Sequence, residues 1–391
     1  MLAATVRVTR DLDLAEECVQ DAFAKALVEW RKDVPARPGA WLTTVARNRA
    51  LDLLRREATL RRALPLLVED DVAPEPQLPD DIPDDRLRLV FTCCHPALSV
   101  EAQVALTLRL LCGLSTAEVA RAFLVSEPTM AARITRAKKK ISAARIPYRV
   151  PDAAELPARL DAVLAVLHLL FTTGHTAPAG DALVREDLVD RAKDLCRMLH
   201  SLLPAPEVGG LLALVLLTDA RRHTRVAADG RLLLLEEQDR SHWDRAAVEE
   251  GLALVRGALL AGPPGRYALQ AAIAAVHADA ATWEDTDWRE VVALYGLLLR
   301  VWPSPVVALN RAVAVGMADG PAAGLRALDA LAAEPALASY GYLPAARADF
   351  LRRLGRTAEA RAAYAEALLL TANDVERDFL VRRSAGLPED R

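Results

Sequence analysis

Apolar residues recur at helical spacing from the start of the chain. Between Asp13 and Trp30, the residues Ala15, Cys18, Val19, Ala22, Phe23, Ala26 and Leu27 share one face. Glu16, Glu17, Gln20 and Asp21 take the opposite one, the pattern of an amphipathic helix. Pro35, Pro38 and Gly39 break the chain, and a second helix is predicted from about Ala40 to Arg62. From Glu69 to Pro83, Pro and Asp are frequent and large apolar residues scarce, so little surface can be buried and a flexible linker is predicted. Helical patterning returns between residues 84 and 147 and, beyond Pro147 and Pro151, continues in an Ala- and Leu-rich stretch punctuated by Pro and Gly. Near the end, the segment from Gly320 to Leu331 resembles that from Arg356 to Leu368, an offset of 36 residues. That is close to the ~34-residue period of tetratricopeptide helix pairs.

Composition sharpens this into a fold class. Only 5% of residues are aromatic, and the chain is dominated by good helix formers such as Ala, Leu, Arg and Glu. The expectation is an all-α protein of several domains. Two small helical domains, at 1–62 and 84–147, are joined by an acidic, Pro-rich linker at 63–83. A large helical extension follows at 148–391, tetratricopeptide-like from about residue 290.

The net charge of −4 conceals a marked asymmetry. Arg133, Arg136, Lys138, Lys139, Lys140, Arg145 and Arg149 face a single acid, Glu127, over the stretch 127–149. Over residues 69–85 there are eight acids and no base. Within the basic stretch lies the sharpest local motif, CGLSTAEVARAFLVSEPTMAARITRAKKK at 112–140. Ser115 and Glu118 form a capping box that starts one helix. Ala120 is small where two helices must cross, Leu124 and Val125 form a turn, and Ser126 caps a second helix with Pro128 in its first turn. Ile134 supplies the inward face, and Thr129, Arg133 and Arg136 are expected to point outward. This is a helix-turn-helix at 115–142 with a basic recognition helix suited to a major groove. Arg133 and Arg136 are the candidates for base edges, with Ser126 and Thr129 at the helix start and Lys138, Lys139 and Lys140 on phosphate.

Two further segments combine with this motif into a family resemblance. DLAEECVQDAF (13–23), PGAWLTTVARNRALD (38–52) and the helix-turn-helix resemble, in order, three segments of the extracytoplasmic-function sigma factors. The resemblance implies that Asp13, Glu16, Glu17, Gln20 and Asp21 bind core RNA polymerase. It implies that Asn48 reads a base of the −10 promoter strand, with Arg47, Arg49, Arg55 and Arg56 drawing in phosphates, and that the helix-turn-helix reads the −35 element. Trp41 is expected in the core. At its start the sequence departs from the family: about ten residues precede Asp11, so the first helix is short or the chain begins inside a longer product. LLEEQDRSHWD (234–244), SPVVALNRAVA (304–314) and LPAARAD (343–349) resemble the extension of one subgroup of these factors. They imply regulation by an attached helical-repeat domain and a possible protein partner for it.

The remaining signals add little chemistry. Cys93, Cys94 and His95 lack the second pair of ligands that structural zinc wants, so no metal is expected, and no phosphate-binding or dinucleotide loop implies a cofactor. Five cysteines in so long a chain are no disulfide framework. Glu236, Glu237, Asp239, Arg240 and His242 are expected to brace the fold through ion pairs, not to catalyse. The expected protein is not an enzyme. It is cytoplasmic with no membrane partner, since the apolar runs fall short of a span. Two other readings are a helix-turn-helix repressor with an effector-binding domain and a tetratricopeptide scaffold carrying a degenerate sigma module. A repressor has no use for the acidic face at Glu17 and Asp21, which discriminates among the readings.

Overall fold

The computed structural model describes residues 1–31, 34–63, 85–123 and 125–388, with the side chains of 57–63, 121 and 122 outside that description. The linker expected at 63–83 therefore lies, from residue 64 on, outside the described residues. Among those described, helices account for all regular structure, and strand pairing is limited to two isolated bridges, Gly180 with Asn373 and Val226 with Leu232. The all-α expectation holds. The chain divides into two units, Met1–Val166 and Leu167–Arg391.

The first unit opens with α1 (Leu2–Thr9), α2 (Leu12–Glu29) and α3 (Pro38–Ala63). The Asp11 carboxylate accepts from the Leu14 amide at 2.9 Å and starts α2. Ala15, Cys18, Val19, Ala22 and Ala26 are buried as the spacing predicts. Phe23 and Leu27 are not: they stand 45% and 76% exposed, since α1 and α3 cover only the narrower stripe. Trp41 is half-buried, with its ring centroid 5.3 Å from that of Trp30. There follow α4 (Asp85–Cys93), α5 (Val100–Leu106) prolonged by a π-turn at Thr107–Leu111, α6 (Thr116–Ala122) and α7 (Glu127–Ala143). Cys93 and Cys94 are packing residues, fully buried; burial pushes the Cys94 thiol up to about 12 and keeps it protonated.

The unit boundary falls inside α8 (Leu156–His175), whose length and mean hydropathy of 1.4 would by themselves suffice to cross a membrane. Val163, Leu164, Val166, Leu167, Leu170 and Phe171 are buried, a third of the apolar window in all, whereas Leu169 is exposed.

The second unit continues through α9 (Glu186–Leu202), α10 (Pro206–Asp219), α11 (Arg245–Leu260) and α12 (Arg266–Asp279). It ends in α13 (Trp288–Val301), α14 (Pro305–Asp319), α15 (Pro321–Asp329), α16 (Tyr342–Arg353), α17 (Thr357–Leu370) and α18 (Asp374–Ala385). α10 is apolar on every side and forms the centre, packed by α9, α11 and α12. Small residues let these helices approach. A Cβ on Gly210 would meet the Ala268 backbone nitrogen at 2.6 Å, and one on Gly316 would meet the Phe350 ring at 2.1 Å. The two repeat copies lie on α15 and α17, within a run of helices packed on their neighbours. The ion pairs expected in 234–244 form only in part: Glu237 lies 3.6 Å from Arg231 and 3.7 Å from Arg383, and Asp239 pairs only with its exposed neighbour His242. The segment is tied in chiefly by hydrogen bonds to neutral groups: Arg240 Nη1 donates to the carbonyls of His277 (2.7 Å) and Ala280 (2.5 Å), Trp243 Nε1 donates to Thr224 Oγ1 (3.1 Å), and Asp244 caps α11.

Gly210→Ala should destabilise the protein by about 1–3 kcal/mol, because backbone, not a side-chain tip, must move. Gly257→Ala, on α11 with open space around the added carbon, should instead stabilise by roughly 0.5–1 kcal/mol. Urea denaturation of the two variants beside the parent chain checks both signs.

Candidate nucleic-acid interface

The helix-turn-helix forms as its capping residues dictate. The Ser115 amide donates to Glu118 Oε2 at 2.6 Å and the Glu118 amide to Ser115 Oγ at 3.2 Å, closing the capping box at the start of α6. The Thr129 amide donates to Ser126 Oγ at 3.4 Å, and the two hydroxyls lie 2.8 Å apart. The chain turns between the helices, with the Val125 amide on the Ala120 carbonyl at 3.1 Å; Leu124, expected in this turn, lies outside the described residues. Met130, Ile134, Ala137 and Ile141 bury one face of α7, and Val119 and Ala120 bury the facing side of α6.

The opposite face of α7 is open. Ser126, Thr129, Arg136, Lys139 and Lys140 are exposed. Arg133 is half-buried, its guanidinium 5.5 Å from the Phe123 ring centroid, which orients it along the helix start. Arg136 bends back, with Nε donating to the Ala132 carbonyl at 3.2 Å.

On α3, Arg47 and Asn48 are exposed, and among the described residues neither side chain makes a hydrogen bond. Arg55 and Arg56 are exposed further along the same helix, Arg55 with Asp52 at 3.9 Å. Arg49 is differently placed: its Nε donates to Asp21 Oδ2 at 2.8 Å, joining a residue of the expected −10 surface to one of the expected polymerase surface. The hydrogen bond to Asp21 raises the Arg49 pKa above its ordinary value.

A second, longer-range pairing links the two small domains. Lys138, on the recognition helix, donates to Asp13 Oδ1 at 2.7 Å and also bonds Glu16 Oε2. Arg109 Nη2 reaches the other Glu16 oxygen at 3.0 Å. The Lys138 side chain is only 11% exposed. Burial alone would lower its pKa, but the hydrogen bonds to Asp13 and Glu16 outweigh it and hold the ammonium above its ordinary value. The contact is extended by Tyr148, whose hydroxyl donates to the Ala3 carbonyl at 2.7 Å with the Asp85 carbonyl at 3.0 Å, and by Arg7 with Asp85 at 3.6 Å. Lys138 therefore differs from Lys139 and Lys140: its charge is spent inside the protein. Glu17 and Gln20 remain exposed on α2, beside Phe23 and Leu27. Sequence reasoning missed Arg109 and Tyr148, whose contacts with Glu16, Ala3 and Asp85 span 63 residues or more of chain, a distance at which no periodicity carries a signal.

An amphipathic acidic helix in the first domain and a basic helix-turn-helix in the second are the arrangement of a sigma-70-type factor. Residues 2–59 match sigma-70 region 2 and residues 88–141 match sigma-70 region 4. Residues 159–259 match a family of unknown function, DUF6596. An uncharacterized protein of Rhizobium meliloti (strain 1021), R00370, is 44% identical over 388 residues, which cover 97% of this chain and 91% of that protein. The ECF RNA polymerase sigma factor SigL of Mycobacterium tuberculosis is 31% identical over 134 residues, 33% of this chain and 73% of SigL. No solved structure matches. The chain belongs to the extracytoplasmic-function sigma factors, DNA-binding proteins of transcription initiation, and carries a large helical C-terminal extension.

Proposed function

We propose that this sigma factor binds core RNA polymerase through the acidic face of α2, engages the −10 strand with Asn48 and its neighbouring arginines, and reads the −35 element with α7. The observation that carries this reading is the exposure of one polar face on each element. Glu17 and Gln20 lie open on α2, Arg47 and Asn48 on α3, and Thr129, Arg136, Lys139 and Lys140 on α7. An acidic face suits a basic partner surface, an amide can read a base edge, and an exposed basic track attracts phosphate. On this reading the extension sets the activity of the two promoter-reading domains and offers a helical-repeat surface to a protein partner. The factor acts without cofactor or catalysis, in the cytoplasm where its polymerase is found.

The pairing of Lys138 with Asp13 and Glu16 belongs to the same reading. It takes two of the five expected polymerase contacts and one of the expected DNA contacts out of use together. Binding of polymerase then includes release of Lys138, and the cost of that release is set against the affinity of the α2 face.

Run-off transcription with purified core polymerase tests the central proposal. A promoter-dependent product that requires the full chain is expected, and its absence on every promoter selected by the protein would sink the reading. Binding to promoter DNA should weaken steeply with salt, and Lys139→Ala should reduce the slope of log K against log salt by about one. An unchanged slope places Lys139 off the DNA.

Lys138→Ala should tighten binding to core polymerase in the absence of DNA, by roughly 5–30-fold if the half-buried pair is worth about 1–2 kcal/mol. Fluorescence anisotropy of labelled protein titrated with polymerase measures it, and an unchanged or weaker affinity would show that Asp13 and Glu16 are not wanted by the polymerase.

A further inference from the structure

The extension gathers three arginines in one place and satisfies them unequally. Asn373, fully buried, ties the start of α18 back to the loop after α8: its Nδ2 donates to the carbonyls of Ala177 (3.1 Å) and Ala182 (2.9 Å), and the Asp374 amide donates to the Gly180 carbonyl at 2.9 Å. Beside this closure the chain leaves α10 at Ala220 and passes through Arg221, Arg222 and Arg225. Arg222 is neutralised, by Asp219 at 2.7 Å and Asp190 at 2.7 Å. Arg225, 7% exposed, is held by neutral acceptors only, the His175 carbonyl and Thr176 Oγ1 at 3.0 Å. Arg221 is partly exposed and, among the described residues, its side chain has neither a hydrogen bond nor an ion pair.

The polar atoms around Arg221 share the deficit. His175 and Arg240 are each 9% exposed, and His175 Nδ1, Arg240 Nη2 and His277 Nδ1 are buried with no hydrogen-bond partner. His175 and His277 both lie in the field of Arg221, on either side of it in the sequence of helices. The carboxylates nearby are engaged elsewhere: Asp219 by Arg222 and by Lys193 at 2.9 Å, and Glu376 by the Tyr342 hydroxyl at 2.5 Å. Burial and the neighbouring Arg225 push the Arg221 guanidinium down to about 10, the mark of a cation with too little negative charge near it. Buried charge of this kind is ordinarily paired, because leaving a donor unsatisfied in a protein interior is costly.

We propose that Arg221 and Arg225, with the unpartnered nitrogens of Arg240, His175 and His277, form a binding site in the extension for the phosphate-monoester group of a small molecule. Two guanidiniums, neither ion-paired among the described residues though Glu376 and Asp219 lie within the field of Arg225, suit the near-dianionic charge of a monoester at neutral pH. The forked donors of arginine suit its oxygens, and the imidazole nitrogens can satisfy the remainder. The binding step needs no polymerase, so its failure would leave the transcription reading standing, and the converse also holds.

Inorganic phosphate, titrated into the full chain at pH 7.5 and constant ionic strength, is the probe. A saturable one-site isotherm is expected in calorimetry. Millimolar phosphate should raise the melting temperature by about 2–4 °C over chloride of equal ionic strength. Arg221→Met should abolish both effects. Because it removes an unpaired charge, it should also leave the phosphate-free melting temperature unchanged or raised, whereas loss of a structural arginine lowers it. A lowered phosphate-free melting temperature, an isotherm that survives Arg221→Met, or equal effects of phosphate and chloride would each overturn the site. Equal stabilisation by acetate would overturn the assignment to phosphate.

Discussion

The ammonium of Lys138, set between the carboxylates of Asp13 and Glu16, holds the first unit together where it matters for function. Each small domain has a modest core of its own: Ala22, Ala26 and Leu42 in one, Met130, Ile134 and Val119 in the other. Between them α1 packs against α4. Across the same junction runs a layer of polar contacts, with Lys138 and Arg109 on α2 carboxylates, Arg7 on Asp85, and Tyr148 on two backbone carbonyls. Such a layer differs from a hydrophobic seam. It is specific in geometry, weak in sum because each ion has already lost water to form it, and open to competition from any partner that offers better charge complementarity. The elements joined by it are those proposed to face promoter and polymerase, which would place the joint where both partners act.

The second unit obeys another constraint, close approach of helices. Its helices are rich in Ala and Leu, and its central helix α10 is buried all round. Gly210, Gly316 and Gly324 stand where an added carbon would strike backbone or a ring, and Gly251 where it would strike the Leu217 side chain. Packing of this kind is intolerant of volume change, which makes the unit rigid and leaves its few polar groups fixed in place. The fixed arginines near the α18 closure are therefore not a fluctuating surface but a preset arrangement of donors.

Much of this was legible in the sequence, and the limits are physical. Helix boundaries on α3, α6 and α7 follow from Pro38, the Ser115–Glu118 box and the Ser126 cap, because capping acts within three or four residues. The core side of α7 follows from 3.6-residue spacing. The same spacing placed Phe23 and Leu27 on the buried side of α2, whereas both are exposed, since periodicity gives a direction and not the width of the partner that covers it. The acidic face of α2 was visible as a face, but not that Asp13 and Glu16 would be taken by a lysine more than 120 residues on. Lys138, Lys139 and Lys140 read alike in sequence. One helical position of 100° separates the first from its neighbours and turns it from solvent to the α2 carboxylates. The arginines of the extension were invisible for a related reason: Arg221, Arg222 and Arg225 look like one solvated run, and only their surroundings show that one is neutralised and another is not.

Charge is handled in opposite ways in the two units, and the contrast bears on how each can be switched. Where opposite charges are already paired, as at Lys138, a partner can act only by replacing one member of the pair, so its gain is the difference between two similar interactions. Where a charge is left unpaired in a rigid setting, as at Arg221, a ligand gains the whole of the interaction and faces little cost of rearrangement, because the surrounding donors are already oriented. The first arrangement suits exchange between large surfaces with many contacts. The second suits a small anion, whose few atoms must each count.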